Sequence, residues 1–308
     1  MNILLVAEES AGIQVLRMVA GSGHRLTAVL TEPPTRGGGA TVASVAEKLD
    51  VPILPSTSVR DPGFGTWMQA EGIDLLLNVH SLYLIHRDLV AAPRIGSFNL
   101  HPGPLPEYAG LNAPSWAIYR GERRHAVTVH WMEAGIDTGA IAYEASFEIG
   151  DDDTGLSVSA RCVREGLPLF ERLLEAAERG RDAIPATPQD LARRRYFGAD
   201  VPNGGRIVWS RPAREVVDFV RACDYFPFPS PRGQPRAGLD GRTVAVTKAS
   251  QTGEKTGADP GIVGSPAEDG ARVAAEDEWI VVHRLHMEGK AVPAATMLEP
   301  GMLLEDGV

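Results

Sequence analysis

The chain has 308 residues, with 30 Lys and Arg against 40 Asp and Glu, a formal charge of −10, and only two cysteines. At roughly 100 to 200 residues per domain, this length favours two domains, each able to bury a core. The acidity argues against nucleic-acid binding unless a local basic patch supplies the phosphate contacts, and the densest basic run, Arg193 to Arg195, reads as a solvated helix face. Cys162 and Cys223 lie far apart without CxxC spacing, so neither a disulfide framework nor a metal site is indicated. The opening MNILLVAEES starts directly on a strand pattern, with no signal-peptide layout and no spanning apolar run, which predicts a soluble cytoplasmic protein without a membrane partner.

In chain order, residues 2–7, 25–31 and 74–79 are short apolar runs read as strands, and 13–20 and 42–49 fit amphipathic helices between them. Strands alternating with helices predict an α/β fold with an open, mostly parallel sheet. The turn after the first strand, EESAG, lacks the glycine fingerprint of a dinucleotide site, and no Walker A pattern occurs. RIGSFNLH reads as a strand stopped by Pro102, Pro104 and Pro106, and AVTVHWM (126–132) as another. Beyond Thr154, a plausible cap, Val163, Leu167, Phe170, Leu174 and Ala177 recur at helical spacing, with Gly166 and Pro168 expected to kink or split the helix.

The first domain is placed at 1–182 and a linker rich in Pro, Gly and Arg at 183–204. In the second domain, 205–308, IVWSRPAREVVDFVRAC predicts a short strand and then a helix with Pro212 near its first turn. RTVAVTKA, ARVAAED and EWIVVHRLHM read as strands of a small β-barrel or sandwich, with SQTGEKTGADPG as a mobile loop. His283 and His286 lie far along this segment without evident partner ligands.

Asn99 and His101 fall on one face of their strand, and the turn after 126–132 would bring Asp137 to the same edge, where open α/β sheets bind ligands. An amide, an imidazole and a carboxylate, without a nucleophile elbow or metal-ligand spacing, suit acyl transfer to an amine with no covalent enzyme intermediate. Asn N–H groups and an imidazolium would stabilise the tetrahedral oxyanion. The carboxylate would raise the imidazole pKa and relay protons. On the residues alone, turn-capping roles for Asn99 and Asp137 stand beside this reading.

The stretch SFNLHPGPLPEYAGLNAPSWAIYRGERRHAVTVHWMEAGIDTGAI (97–141) closely resembles the 10-formyltetrahydrofolate-dependent formyltransferase family. The shared features are Asn-x-His, a Leu-Pro loop, a Trp-Ala-Ile helix, a Gly-Val-Thr-x-His strand that here begins with Ala126, and Asp-x-Gly. The resemblance implies a Rossmann-like formyltransferase domain followed by an OB-like β-barrel. It makes Asn99, His101 and Asp137 the catalytic residues and 10-formyltetrahydrofolate the formyl donor, with no metal. By position it implies that Tyr83, Leu84 and Ile85, with Glu133 and Ala134, contact the folate, and that Gly103, Pro104, Tyr108 and His130 line the acceptor side. Leu84 and Ile85 read equally well as core, His130 as a satisfied strand histidine, and His80 and His86 flank the folate loop.

For the acceptor, the sequence is set apart from methionyl-tRNA formyltransferases by three features. The loop after the second strand offers only Arg36, Ala109 stands where their loop usually has Arg, and the chain is acidic. GPLPEYAGLNAPSWAI is more similar to formyltransferases of nonribosomal peptide and siderophore pathways. The expected partner is therefore a small amine such as hydroxyornithine, free or bound to a carrier protein, with nucleic acid disfavoured. Nucleotide-linked aminosugars compete, with Arg120, Arg123 and Arg124 available for a diphosphate. Further alternatives are methionyl-tRNA, a formyltetrahydrofolate hydrolase, and a noncatalytic carrier-protein or RNA-binding module.

Overall fold

The computed structural model describes residues 1–33, 39–81, 83–287 and 289–307; Arg36 lies outside the described residues. The chain divides into two compact units. The first comprises 1–110, 126–146 and 161–196, and the second 111–125, 147–160 and 197–308.

The first unit is built on β1 (Asn2–Ala7), β2 (Arg25–Thr31), β3 (Ile53–Pro55), β4 (Leu75–Val79) and β5 (Gly96–His101), with α1 (Glu9–Gly21), α2 (Val42–Lys48), α3 (Phe64–Ala70) and α4 (Arg87–Ala91) between them. The strands β1 to β5 pair in parallel in the order β3-β2-β1-β4-β5. Continuous runs such as NILLVA and LLLNV form them because a parallel sheet covered on both faces has no wet side to alternate toward. Gly12 allows α1 to follow β1 closely, since a Cβ there would sit 2.9 Å from that of Ala7. The two-residue β6 (Ala109–Gly110) follows the proline-rich loop, and after α5 (Ala113–Tyr119) the chain returns as β7 (Arg124–Trp131) and β8 (Ile141–Glu148) at the sheet's far edge. Here the order departs from parallel, because β7 runs antiparallel to β5.

Register fixes the site. Asn78 of β4 lies beside Asn99 of β5, which lies opposite His130 of β7. Three polar side chains thus come together on neighbouring strands near the carboxyl ends of β4 and β5.

The periodic segment after Thr154 forms one helix, α6 (Gly155–Glu178), with Pro168 inside it. It is not split as the sequence suggested. Thr154 caps it, its hydroxyl accepting from Ser157 N at 3.2 Å while Ser157 Oγ accepts from Thr154 N at 2.9 Å. Gly166 serves close packing, because a Cβ there would meet Leu100 at 2.8 Å.

The segment expected to be a linker is docked through residue 196. Thr187 and Ile141 exchange both backbone hydrogen bonds, at 2.8 and 2.9 Å. β9 (Tyr196–Phe197) pairs with β6. Linear boundaries at 182 and 205 also miss the assignment of 111–125 and 147–160 to the second unit.

In the second unit, α7 (Ala213–Ala222) packs on α5, with Phe219 and Tyr119 edge to face at 5.4 Å. Val216, Val217, Phe219 and Val220 are buried, each stabilising by roughly 1.5 to 3 kcal/mol. The strand expected before α7 reduces to a single bridge at Arg206, and Pro212 stands immediately before the helix. The remaining strands are β10 (Arg236–Leu239), β11 (Arg242–Lys255), β12 (Val263–Ala267), β13 (Gly270–Ala274), β14 (Glu278–Met287) and β15 (Lys290–Pro293). They form a six-stranded antiparallel sheet. The predicted mobile loop is half strand, since Ser250 and Gln251 pair with Val281 and Ile280, extending β11 to Lys255.

Candidate active site

β5 delivers Asn99 and His101 on one face, and the prolines that follow end it in a wrapped loop. His101 is 3% exposed, and its Nε2 donates to the Tyr108 carbonyl at 2.7 Å. The loop closes on itself through Tyr108 N donating to Pro104 O at 2.9 Å, and Thr128 Oγ1 donates to the Gly103 carbonyl at 2.8 Å. Its far side is tied to the docked segment. Ala109 N donates to Arg195 O at 3.0 Å, Arg195 N to Pro106 O at 3.2 Å, and Arg193 ion-pairs with Glu107. The basic run 193–195 keeps Arg193 and Arg195 exposed, and its backbone and the Arg193 ion pair also tether the segment to the loop.

Asp137 sits on the turn after β7 with φ +54°, a left-handed conformation that Asp tolerates better than most residues. Gly110 N donates to its Oδ2 at 2.8 Å. The same oxygen is 3.6 Å from His101 Nδ1, and Oδ1 is 3.4 Å from His130 Nε2 and 3.5 Å from Asn99 Nδ2. The turn is held by Gln189, which donates to the carbonyls of Asp137 (3.0 Å) and Gly139 (2.6 Å), and by Arg194, which donates to Ile136 O at 2.9 Å.

His130 Nδ1 lies 2.8 Å from the Trp131 carbonyl, so that nitrogen carries the proton and Nε2 presents a lone pair to Asn99 Nδ2 at 3.1 Å. Asn99 thus turns its NH2 toward His130 and Asp137. Its Oδ1 accepts from Asn78 Nδ2 at 2.9 Å.

Burial alone would raise the Asp137 pKa, but His101 and the Gly110 N–H overcome it and hold the carboxyl well below the usual range. His101 moves against the sequence expectation. Asp137 does favour its charged form, yet full burial outweighs that attraction and pushes its pKa down. The 2.7 Å bond to Tyr108 requires one ring proton, while the 3.6 Å approach to Asp137 is too long to require a second.

The other predicted residues scatter. Leu84 is 72% exposed, whereas Tyr83 and Ile85 pack partly on the core under β4, so only Ile85 fits the core reading. Glu133 and Ala134 are exposed on the Asp137 turn, where Glu133 accepts from Thr138 Oγ1 at 2.6 Å. Gly103 and Tyr108 are buried and contribute carbonyls, and Pro104 closes the loop. His86 begins α4, accepting from Asp88 N at 3.3 Å. Arg123 and Arg124 are paired with Asp151 and Glu148. Among the described residues no group of three or more His, Cys, Asp or Glu could hold a metal, and no helix is long and apolar enough to cross a membrane.

Sequence reasoning missed Asn78, whose signal was one polar residue inside the run LLLNV. It also missed a carboxylate rim. Glu8 follows β1, accepting from Thr31 Oγ1 at 3.0 Å and Glu32 N at 2.8 Å, and burial raises its pKa. Glu9 lies 3.3 Å from His80 Nδ1, and that hydrogen bond lowers its pKa. Glu32 accepts from Ser56. His80, the partner of Glu9, contributes to the electrostatic field at His101.

An open α/β sheet with its polar cluster at the carboxyl edge defines an enzyme that works on a ligand bound outside the strand ends. The formyl transferase family model matches residues 34–172, and the formyl transferase C-terminal domain model matches 201–299. The chain is 30% identical to the methionyl-tRNA formyltransferase of Citrifermentans bemidjiense, covering 99% of this chain and 96% of that protein. It is 28% identical to that of Anaeromyxobacter dehalogenans, covering 98% and 97%. Among solved structures it is similar to the N-formyltransferase from Helicobacter canadensis in complex with folinic acid and dTDP-3-aminofucose (TM-score 0.68, 16% identity, 91% of this chain and 98% of that one). HypX from Aquifex aeolicus in complex with tetrahydrofolic acid is another (TM-score 0.64, 19% identity, 96% and 46%). The chain belongs to the formyl transferase family and is a folate-dependent N-formyltransferase.

Proposed function

We propose that the enzyme moves the formyl group of 10-formyltetrahydrofolate to a small amine derived from an amino acid, free or carrier-bound, with Asn99, His101 and Asp137 as its catalytic residues. The observation that carries this reading is the convergence of Asn99, His101 and His130 on Asp137, all within 3.6 Å of its carboxylate. The contact from Asn99 Nδ2 to Asp137 is long, at 3.5 Å, so that N–H can turn toward a developing oxyanion. As the amine attacks, a carbon–nitrogen bond forms and the amine nitrogen becomes cationic. Asp137, ionised beside His101, takes the excess proton from the amine nitrogen and passes it to the departing folate nitrogen as the bond from that nitrogen to the formyl carbon breaks. For the folate, the exposed Leu84 offers an apolar surface and residues 83–85 offer main-chain groups, with Glu133 and Ala134 on the Asp137 turn.

The acceptor class rests on the rim. Glu8, Glu9 and Glu32 repel phosphate and attract a cationic amine. The pairing of Arg123 and Arg124 with carboxylates leaves a nucleotide-linked sugar without those two arginines for its diphosphate.

A second reading, methionyl-tRNA, is favoured by the full-length curated relatives and by a groove of about 530 Å³ in the second unit that carries Arg120 and Arg206, with Arg211 and Arg214 there paired to Glu215 and Asp218. Incubation with 10-formyltetrahydrofolate and a panel of hydroxyornithine, ornithine, dTDP-aminosugars and methionyl-tRNA, read by mass spectrometry, separates the two. Formylation of methionyl-tRNA alone would overturn the small-amine reading.

A further inference from the structure

A polar side chain in the middle of a parallel strand needs a reason. β4 reads LLLNV, and its other side chains are buried in the sheet's apolar layers. Asn78 spends one hydrogen bond on Asn99 Oδ1 at 2.9 Å, while its own Oδ1 is buried with no partner. An orphaned buried carbonyl is destabilising, and Val or Leu would fit the strand at lower cost. The orientation is not arbitrary. His130 Nε2 and Asp137 Oδ1 are both acceptors facing the NH2 of Asn99, so the Asn99 carbonyl must point to Asn78, and only an N–H there satisfies it.

We propose that Asn78 is a positioning residue that locks the Asn99 amide with its NH2 facing the reaction centre, the side-chain N–H···O bond from Asn78 to Asn99 setting which end of Asn99 meets the oxyanion. It touches neither substrate in this role and acts through Asn99, and it rests on the reading of Asn99 as oxyanion donor given above. Without it, Asn99 can rotate its carbonyl inward, presenting an acceptor where a donor is needed.

The test compares Asn78→Leu, Asn78→Asp and Asn99→Ala as full-length proteins, each first checked for a native circular-dichroism spectrum. In asparagine-15N-labelled protein, the Asn99 side-chain NH2 is the signal lost in Asn99→Ala. Its hydrogen exchange should accelerate at least 10-fold in Asn78→Leu; an unchanged rate overturns the proposal whatever acceptor the enzyme uses. With the acceptor found by the panel above, Asn78→Leu should lower kcat about 10-fold while the KM for 10-formyltetrahydrofolate stays within 2-fold. Asn78→Asp should be worse than Asn78→Leu at pH 8, where the carboxylate can only accept, and better at low pH, where a carboxylic acid can donate to Asn99 Oδ1. Parallel pH profiles for the two variants would overturn the proposal. Wild-type turnover in Asn78→Leu with Asn99→Ala inactive removes the positioning role alone. Wild-type turnover in Asn99→Ala removes the oxyanion reading and the positioning role with it.

Discussion

The two ends of the sheet's carboxyl edge are built differently. Around β5 and β7, His101 and His130 are buried, Asp137 is nearly so, and each has its partners in place. Around β1 and β2, Glu9 is largely exposed, and its ion pair with His80 lies toward solvent. The first region is preorganised for charge that develops during reaction. The second is a rim whose groups can respond to whatever ligand arrives. On the proposed reading, chemistry and acceptor choice occupy separate stretches of one edge, and they should respond differently to substitution.

The largest effect belongs to the buried end. Asp137→Ala should lower kcat by about 10³-fold, within the usual span for a proton-transfer group, with 10-formyltetrahydrofolate still bound in a fluorescence titration. Near-normal turnover in the folded variant would remove Asp137 from the mechanism. Asn99→Ala should cost on the order of 100-fold, as loss of one oxyanion donor does elsewhere.

Stability should follow the same division. The lowered pKa of His101 means that the unfolded chain takes up its proton first, so stability present above about pH 6.5 is lost as pH falls below it. The lowered pKa of Asp137 adds a second loss below about pH 3.9. Urea denaturation between pH 8 and 5 should show the first decline, and His101→Gln should flatten it. An equally steep decline in that variant would assign the effect elsewhere.

At the rim the expected effects are smaller and confined to binding. Glu9→Gln should raise KM for a cationic acceptor roughly 3- to 10-fold, an effect that fades with added salt, and leave kcat unchanged. A fall in kcat instead would merge the two regions. Smallest of all, Arg206→Glu in the groove of the second unit should leave small-amine formylation within 2-fold. A large loss there would favour a phosphate-bearing acceptor.

Much of this was legible in the sequence because it depends on local rules. The strands announced themselves as apolar runs, Thr154 as a cap, and Asn99 with His101 as a same-face pair. Other parts depended on long-range register. Asn78 gains meaning only when β4 is laid against β5, and the tether of Arg193 to Arg195 only when the segment beyond α6 folds back. The downward shift of the His101 pKa runs against the sequence expectation because sequence shows the carboxylate neighbour and not the burial that outweighs it. The membership of α5 in the second unit follows from its packing on α7, which no linear boundary reveals.

The fold-back of residues 185–196 bears on where this chain can be cut. Gln189 and Arg194 grip the Asp137 turn, and Arg193 with Arg195 grips the loop whose Tyr108 carbonyl accepts the His101 hydrogen bond. A fragment ending at 182 would keep nearly every apolar strand and helix of the first unit, yet lose the clasp that holds the loop and the turn against each other. Such a fragment should fold as a sheet and fail as an enzyme, and a protease nick near residue 190 should silence the intact protein well before it unfolds.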